Sequence, residues 1–236
     1  MLTASSMYEL CRKARMPVHA EKEPHLGALE MMSILTAKET SRVISAYDAN
    51  ALQYEQDFND RCYKAPRLAA EAIRDFIQVE DRSKVKIMDI AAGTGKVGEW
   101  LARFGFRDID ALDGSRGMLD TLTKRNIYGR KIHDTIGYHR IDVEDETYDA
   151  VSMSAGFVEG HVPVAALDEM LRISKKGGIV VVVLRYEYLW TVEEYRDLEP
   201  YMRSMEERGL WTMLLRNITA EYFYEKEGIT YVFRKL

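Results

Sequence analysis

The chain has only two cysteines, Cys11 and Cys62, set far apart. That scarcity excludes a disulfide framework and fits a reducing compartment. It has no long hydrophobic run either. The longest, Ile179 to Leu184, is far too short to span a bilayer. It has no surplus of positive charge: the formal net charge is −5 at pH 7. Without a domain-wide basic field, general nucleic-acid binding is not expected. The five histidines, His19, His25, His133, His139 and His161, show no paired ligand spacing, so no metal is expected. The acidic run Asp142, Glu144, Asp145 and Glu146 reads as a solvated loop. An apolar signal core is lacking near the N-terminus, and Glu9, Glu21 and Glu23 argue against a mitochondrial address. The expected location is cytoplasmic or nuclear, with no membrane partner.

What is present suits a globular domain. Hydrophobic residues make up 47% of 236 positions, enough for one sizeable core with a short appendage. Residues 1–40 read as a partly helical lead and 41–236 as the main domain. Pro17 and Pro24 interrupt the first part of the lead, whereas Leu29, Met32, Ile34 and Leu35 give Leu26 to about Tyr47 a helical pattern. Leu68, Ala69, Ala72, Ile73 and Phe76 form a clearer helical stripe over Ala65 to Ile77.

Strand and helix patterns alternate after Asp81–Lys84, which reads as a turn. Val85 to Ile90 is an apolar strand, and Asp108 to Asp113 a second. Arg130 to Thr135 and Tyr148 to Ser154 read as a third and fourth. Pro163 opens a helix through Ile173, with Lys176-Gly177-Gly178 as its expected C-cap. Ile179 to Leu184 is β-branched up to Leu184 and apolar on both sides, as in a central parallel strand. Thr191-Val192-Glu193-Glu194 predicts a capping box, with Pro200 bending or splitting the helix that follows. Trp211 to Leu236 predicts a hairpin turning around Lys226-Glu227-Gly228.

The richest stretch is Asp89-Ile90-Ala91-Ala92-Gly93-Thr94-Gly95. An apolar strand ends in a carboxylate, then a glycine-rich turn, then an amphipathic segment. That is the opening unit of a Rossmann-like nucleotide site. Gly93, Gly95 and Gly98 also satisfy G-x-G-x-x-G, a spacing that serves several cofactors. Asp89 helps to discriminate among them. A carboxylate beside the loop repels a dinucleotide's pyrophosphate and suits a cationic ligand. S-adenosylmethionine carries an ammonium and a sulfonium and no phosphate. Asp113 lies 24 positions later, at the second strand tip, where an acidic side chain accepts hydrogen bonds from ribose hydroxyls. Ser115 is a natural N-cap for the helix bearing Met118.

The motifs Asp89 to Gly95 and Leu112-Asp113-Gly114-Ser115-Arg116-Gly117-Met118-Leu119 together resemble the class I S-adenosylmethionine-dependent methyltransferases. The resemblance spans roughly Tyr47 to Gly209. It implies a seven-stranded α/β sheet ending in an antiparallel hairpin, with an N-terminal helical lead serving as lid. It implies S-adenosylmethionine as cofactor and a small-molecule or protein acceptor. Ala91, Ala92, Gly93, Gly95, Gly114 and Ser115 are then cofactor-binding backbone. Asp134, Thr135 and Ile136 meet the adenine edge, and Met118 lies against adenine or in the core. Ser154 and Ala155, with Gly156, leave room for the methionine moiety. Tyr47 and Tyr54 precede the first strand as cover, where aromatic faces attract a sulfonium. Arg67 pairs with the cofactor carboxylate or stays on the surface. His161 is the candidate general base, against an ordinary solvent-facing histidine. The Asn/Asp-Pro-Pro-aromatic tetrapeptide common in base N-methyltransferases is absent at the fourth strand tip. Two alternatives remain: a noncatalytic cofactor-binding module, and a nicotinamide-dependent oxidoreductase resting on the glycine spacing alone.

Overall fold

The computed structural model describes residues 39–58 and 62–236. Residues 1–38 of the 1–40 lead, and with them the part of the Leu26–Tyr47 helical pattern before residue 39, lie outside the described residues. Helix α1 (Thr40–Asp57) runs past Tyr47, and α2 (Ala65–Phe76) follows. Five parallel strands come next: β1 (Lys86–Ile90), β2 (Asp108–Asp113), β3 (Lys131–His133), β4 (Tyr148–Ser154) and β5 (Ser174–Arg185). Helices α3 (Lys96–Arg103), α4 (Arg116–Thr123) and α5 (Ala166–Ile173) lie between them. Short α6 (Tyr188–Thr191), a 3-10 turn and α7 (Leu198–Glu207) lead to β6 (Trp211–Phe223) and β7 (Lys226–Lys235). The sheet order is β3-β2-β1-β4-β5-β7-β6, with β7 antiparallel to both neighbours. This is the expected seven-stranded sheet.

Alternation along β1 divides the core. Ile87 faces α2 and α3 with Ile73, Leu101 and Ile109, while Met88 and Ile90 face α5 and α7 with Met170, Met202 and Tyr195. All these side chains are essentially inaccessible. Each large apolar side chain so buried contributes about 1.5–3 kcal/mol.

Five local expectations are corrected. Lys176-Gly177-Gly178 does not cap α5. It lies inside β5, because the Ser174 hydroxyl donates to the Met170 carbonyl at 2.7 Å and ends the helix there. Gly177 takes φ +76°, and a Cβ on Gly178 would sit 2.8 Å from the Lys175 carbonyl, so the pair makes an irregularity in the strand. The Thr191 hydroxyl caps nothing ahead of it: it donates back to Glu187 at the end of α6. The split falls before Pro200, which sits in the first turn of α7, where its missing N–H costs nothing. The hairpin turns at Tyr224-Glu225, between paired Phe223 and Lys226, and Gly228 belongs to β7. Glycine is needed there because the Tyr222 ring lies where a Cβ would be. Finally, α5 starts at Ala166 rather than Pro163, after a turn.

Candidate active site

A cavity of about 760 Å³, counted with its open mouth, lies at the C-terminal tips of β1, β2, β3 and β4. Open α/β sheets bind ligands at such tips. Two strands end alike at its floor. Ala91 after β1 and Ala155 after β4 both take positive φ, 52° and 55°. Left-handed alanine costs about 1–2 kcal/mol, and strain of this kind concentrates at functional sites. The turn lets the chain leave the sheet sharply and keeps bulky side chains off the floor.

Asp113 organises the next wall. Its carboxylate accepts the Gly93 N–H at 2.7 Å and the Ser115 N–H at 2.8 Å. Burial raises its pKa, against the lowering effect of those two N–H donors. Two of a carboxylate's roughly four acceptor positions are thereby used, and two remain. Ser115 caps α4 as expected, accepting from Met118 N at 3.1 Å. Its hydroxyl donates to Asp48 of α1 at 2.6 Å, and Gly117 N donates to the same carboxylate at 2.9 Å. Burial opposes ionisation of Asp48, but these hydrogen bonds outweigh it and hold the pKa below the usual carboxylate range.

Helix α1 forms the cover, with Val43, Ile44, Tyr47 and Tyr54 facing the cavity. Tyr47 reaches across to the loop after β4, where its hydroxyl lies 2.9 Å from His161 Nε2. His161 Nδ1 lies 2.9 Å from the Glu159 carbonyl. That carbonyl only accepts, so Nδ1 carries the proton and Nε2 accepts from Tyr47. Burial pushes the His161 pKa down and that of Tyr47 well up. The pair is therefore neutral.

A methyltransferase-domain family matches residues 87–178, the segment from β1 into β5. Methyltransferase-like protein 27 of Homo sapiens is 32% identical over 170 residues, covering 72% of this chain and 68% of its own length. The chain belongs to the class I S-adenosylmethionine-dependent methyltransferases. The methyltransferase is also 37% identical over 102 residues to a demethylmenaquinone methyltransferase of Renibacterium salmoninarum, covering 41% of this chain and 40% of that one. Among solved structures, the TehB-like S-adenosylmethionine-dependent methyltransferase of Corynebacterium glutamicum superposes with a TM-score of 0.56. It is 19% identical and covers 81% of this chain and 100% of its own.

The residues present in the methyltransferase fit this cofactor. Gly93 at φ +55° has open space where a Cβ would point, so bare main chain borders the cavity. The Ser154 hydroxyl oxygen is buried and has no hydrogen-bond partner among the described residues, although it borders the cavity. Asp113 and Asp134 line it, and no lysine or arginine does among the described residues. Acidic groups, aromatic faces and an unanswered hydroxyl suit a ligand that is cationic and rich in hydrogen-bonding groups.

Most expected residues meet here: Tyr47, Tyr54, Ala91, Gly93, Asp113, Gly114, Ser115, Met118, Asp134, Thr135, Ile136, Ser154, Ala155 and His161 all line the cavity. Met118 does so while almost fully buried, so its core and lining roles coincide. In the adenine segment, Asp134 N donates to the Asp113 carbonyl and Thr135 N to the Asp134 carboxylate. Ile136 carries the remaining N–H of the three.

Four expected residues lie elsewhere. Arg67 pairs with Glu71 at 2.8 Å and stacks over Trp100. It does not line the cavity. Ala92 packs into the core beside α3. Asp89 is fully buried beneath the loop, not in the cavity. Tyr128 donates to it at 2.7 Å and Ser152 at 3.5 Å. Gly95 faces the Tyr128 ring, as does Gly98, whose Cβ would fall 2.4 Å from Tyr128 Cζ. Gly98 N donates to the Tyr128 hydroxyl at 2.8 Å. The last two glycines of G-x-G-x-x-G thus admit a tyrosine, and the first turn of α3 is not offered to a pyrophosphate.

Sequence reasoning passed over Val43 and Ile44, and Tyr128. Val43, Tyr47, Ala51, Tyr54 and Phe58 recur at helical spacing, a signal sufficient to extend α1. Tyr128 carries no such signal. Among the described residues, no cluster of three metal-ligating side chains occurs, and no helix is long and apolar enough to cross a membrane.

Proposed function

We infer that Asp113 holds the cofactor ribose, Asp134 to Ile136 and Met118 the adenine, and Ala91, Gly93, Ser154 and Ala155 the methionine end. Tyr47 and Tyr54 on α1 then cover the sulfonium. Bound S-adenosylmethionine supplies an electrophilic methyl, and the sulfonium charge disappears as it transfers. The chain's own work is alignment and exclusion of water, which can supply several kcal/mol. The acceptor is read as a small molecule, in keeping with the aromatic lining of the cavity. The demethylmenaquinone methyltransferase similarity supports that choice. The sparse cysteines favour a cytoplasmic or nuclear setting.

One observation carries the binding assignment: a carboxylate at the cavity wall, anchored by two N–H donors with acceptor capacity to spare. Calorimetric titration tests it. S-adenosylhomocysteine is expected to bind in the micromolar class and NAD not comparably. Asp113→Ala should weaken the former by about 1.5–3 kcal/mol, as for a charged acceptor. Wild-type affinity in a folded Asp113→Ala protein refutes the ribose assignment.

A further inference from the structure

We propose that the methyl acceptor is an uncharged aromatic hydroxyl compound, and that Tyr47 and His161 together carry off its proton. This rests on the cofactor placement given above. The Tyr47 hydroxyl spends its hydrogen on His161 Nε2, so it turns only lone pairs toward the cavity. Such a group recognises an O–H donor and repels an oxyanion. The rest of the lining agrees. It offers no lysine or arginine among the described residues to hold a carboxylate or phosphate, and it holds two acids, Asp113 and Asp134. Tyr54, Tyr63 and Tyr138 add aromatic side chains to the lining. Tyr47 itself stands edge-on to Tyr54, with centroids 6.0 Å apart, and edge-on to His161 at 5.5 Å.

The step balances. As the acceptor oxygen bonds the methyl carbon, the carbon–sulfur bond breaks and its electron pair stays on sulfur. The acceptor proton passes to the Tyr47 oxygen, and the Tyr47 proton passes to His161 Nε2. The imidazolium later yields that proton to water. One positive charge leaves sulfur as another appears on His161, so the charge of the half-buried site is conserved during the step. The neutral resting state of the pair, enforced by burial, leaves Nε2 free to accept. The loop bearing His161 is braced from below, where the Tyr195 hydroxyl lies 2.7 Å from the Val158 carbonyl and 3.0 Å from that of Val162.

A matched series tests the proposal: 1-naphthol, 1-naphthoate and 1-naphthylamine, each with S-adenosylmethionine and product identified by mass. Methylation of 1-naphthol alone is expected. Tyr47→Phe and His161→Gln should each lower kcat about 100-fold, the scale of one proton-transfer group. S-adenosylhomocysteine affinity should change far less than kcat, since Tyr47→Phe keeps the aromatic cover and neither variant removes the ribose anchor. A readout independent of turnover is the 15N spectrum of His161, expected to show a protonated Nδ1 and a bare Nε2. Comparable methylation of the carboxylate or the amine overturns the proposal. So does full kcat in Tyr47→Phe, a protonated Nε2, or S-adenosylhomocysteine binding without any naphthol turnover. Loss of S-adenosylhomocysteine binding in the wild-type protein instead refutes the cofactor placement itself.

Discussion

Asp89→Asn is the most direct probe of the glycine loop's foundation. Asp89 is fully inaccessible and its pKa is pushed up to about 7, by burial first, with Tyr128 and Ser152 pulling the other way and Asp113 adding to the rise. An unfolded aspartate titrates near 3.9. Between these values the folded chain holds a proton that the unfolded chain has lost. Stability from this group is therefore complete below about pH 4 and is lost as pH rises through about 7. From pH 5 to pH 9 the loss is about two pKa units at about 1.4 kcal/mol each, or roughly 3 kcal/mol. Asparagine keeps the shape, accepts from Tyr128 and does not ionise. Urea unfolding of both proteins at unit pH steps measures the difference. Wild type should lose roughly 3 kcal/mol relative to Asp89→Asn across that range. Asp113 titrates in both proteins and cancels to first order. Parallel stability curves mean that Asp89 is ionised throughout without penalty, and the account of its burial is then wrong.

Gly98→Ala tests the tyrosine beneath the loop. Helix propensity alone favours alanine by about 1 kcal/mol, but its Cβ would meet Tyr128 Cζ at 2.4 Å. Overpacking should win by about 1–3 kcal/mol, and an unchanged or raised Tm contradicts the packing. The cover is read by hydrogen exchange. Amides of α1 should exchange faster than those of β1 in the free protein and slow when S-adenosylhomocysteine binds, because the ligand favours the closed state. Asp48→Ala, which removes the bonds to Ser115 and Gly117, should speed α1 exchange further. Equal α1 protection with and without ligand makes the helix fixed structure.

Much was legible along the chain. The β-branched runs ending at Ile90 and Leu184, the loop at Gly93, the acid at Asp113 and the cap at Ser115 are local signals. A strand's period, a turn's glycine and a helix's cap depend on neighbours a few positions away, and these placed the sheet and most of the cavity wall. Contacts across the sheet order were not legible. Asp89 looked like a cofactor group until Tyr128 was seen to take it, 39 positions away in the chain. Gly95 looked like a ligand contact, and with Gly98 it accommodates that same ring. Tyr47 and His161 are 114 positions apart, and neither marks the other. Their meeting follows from α1 lying over the tips of β1, β2 and β4 and from the braced loop after β4. Patterning specifies which face of an element is buried. Which side chain answers a buried carboxylate or imidazole is decided only when the layers pack, because an unpaired polar group there costs too much to leave unanswered.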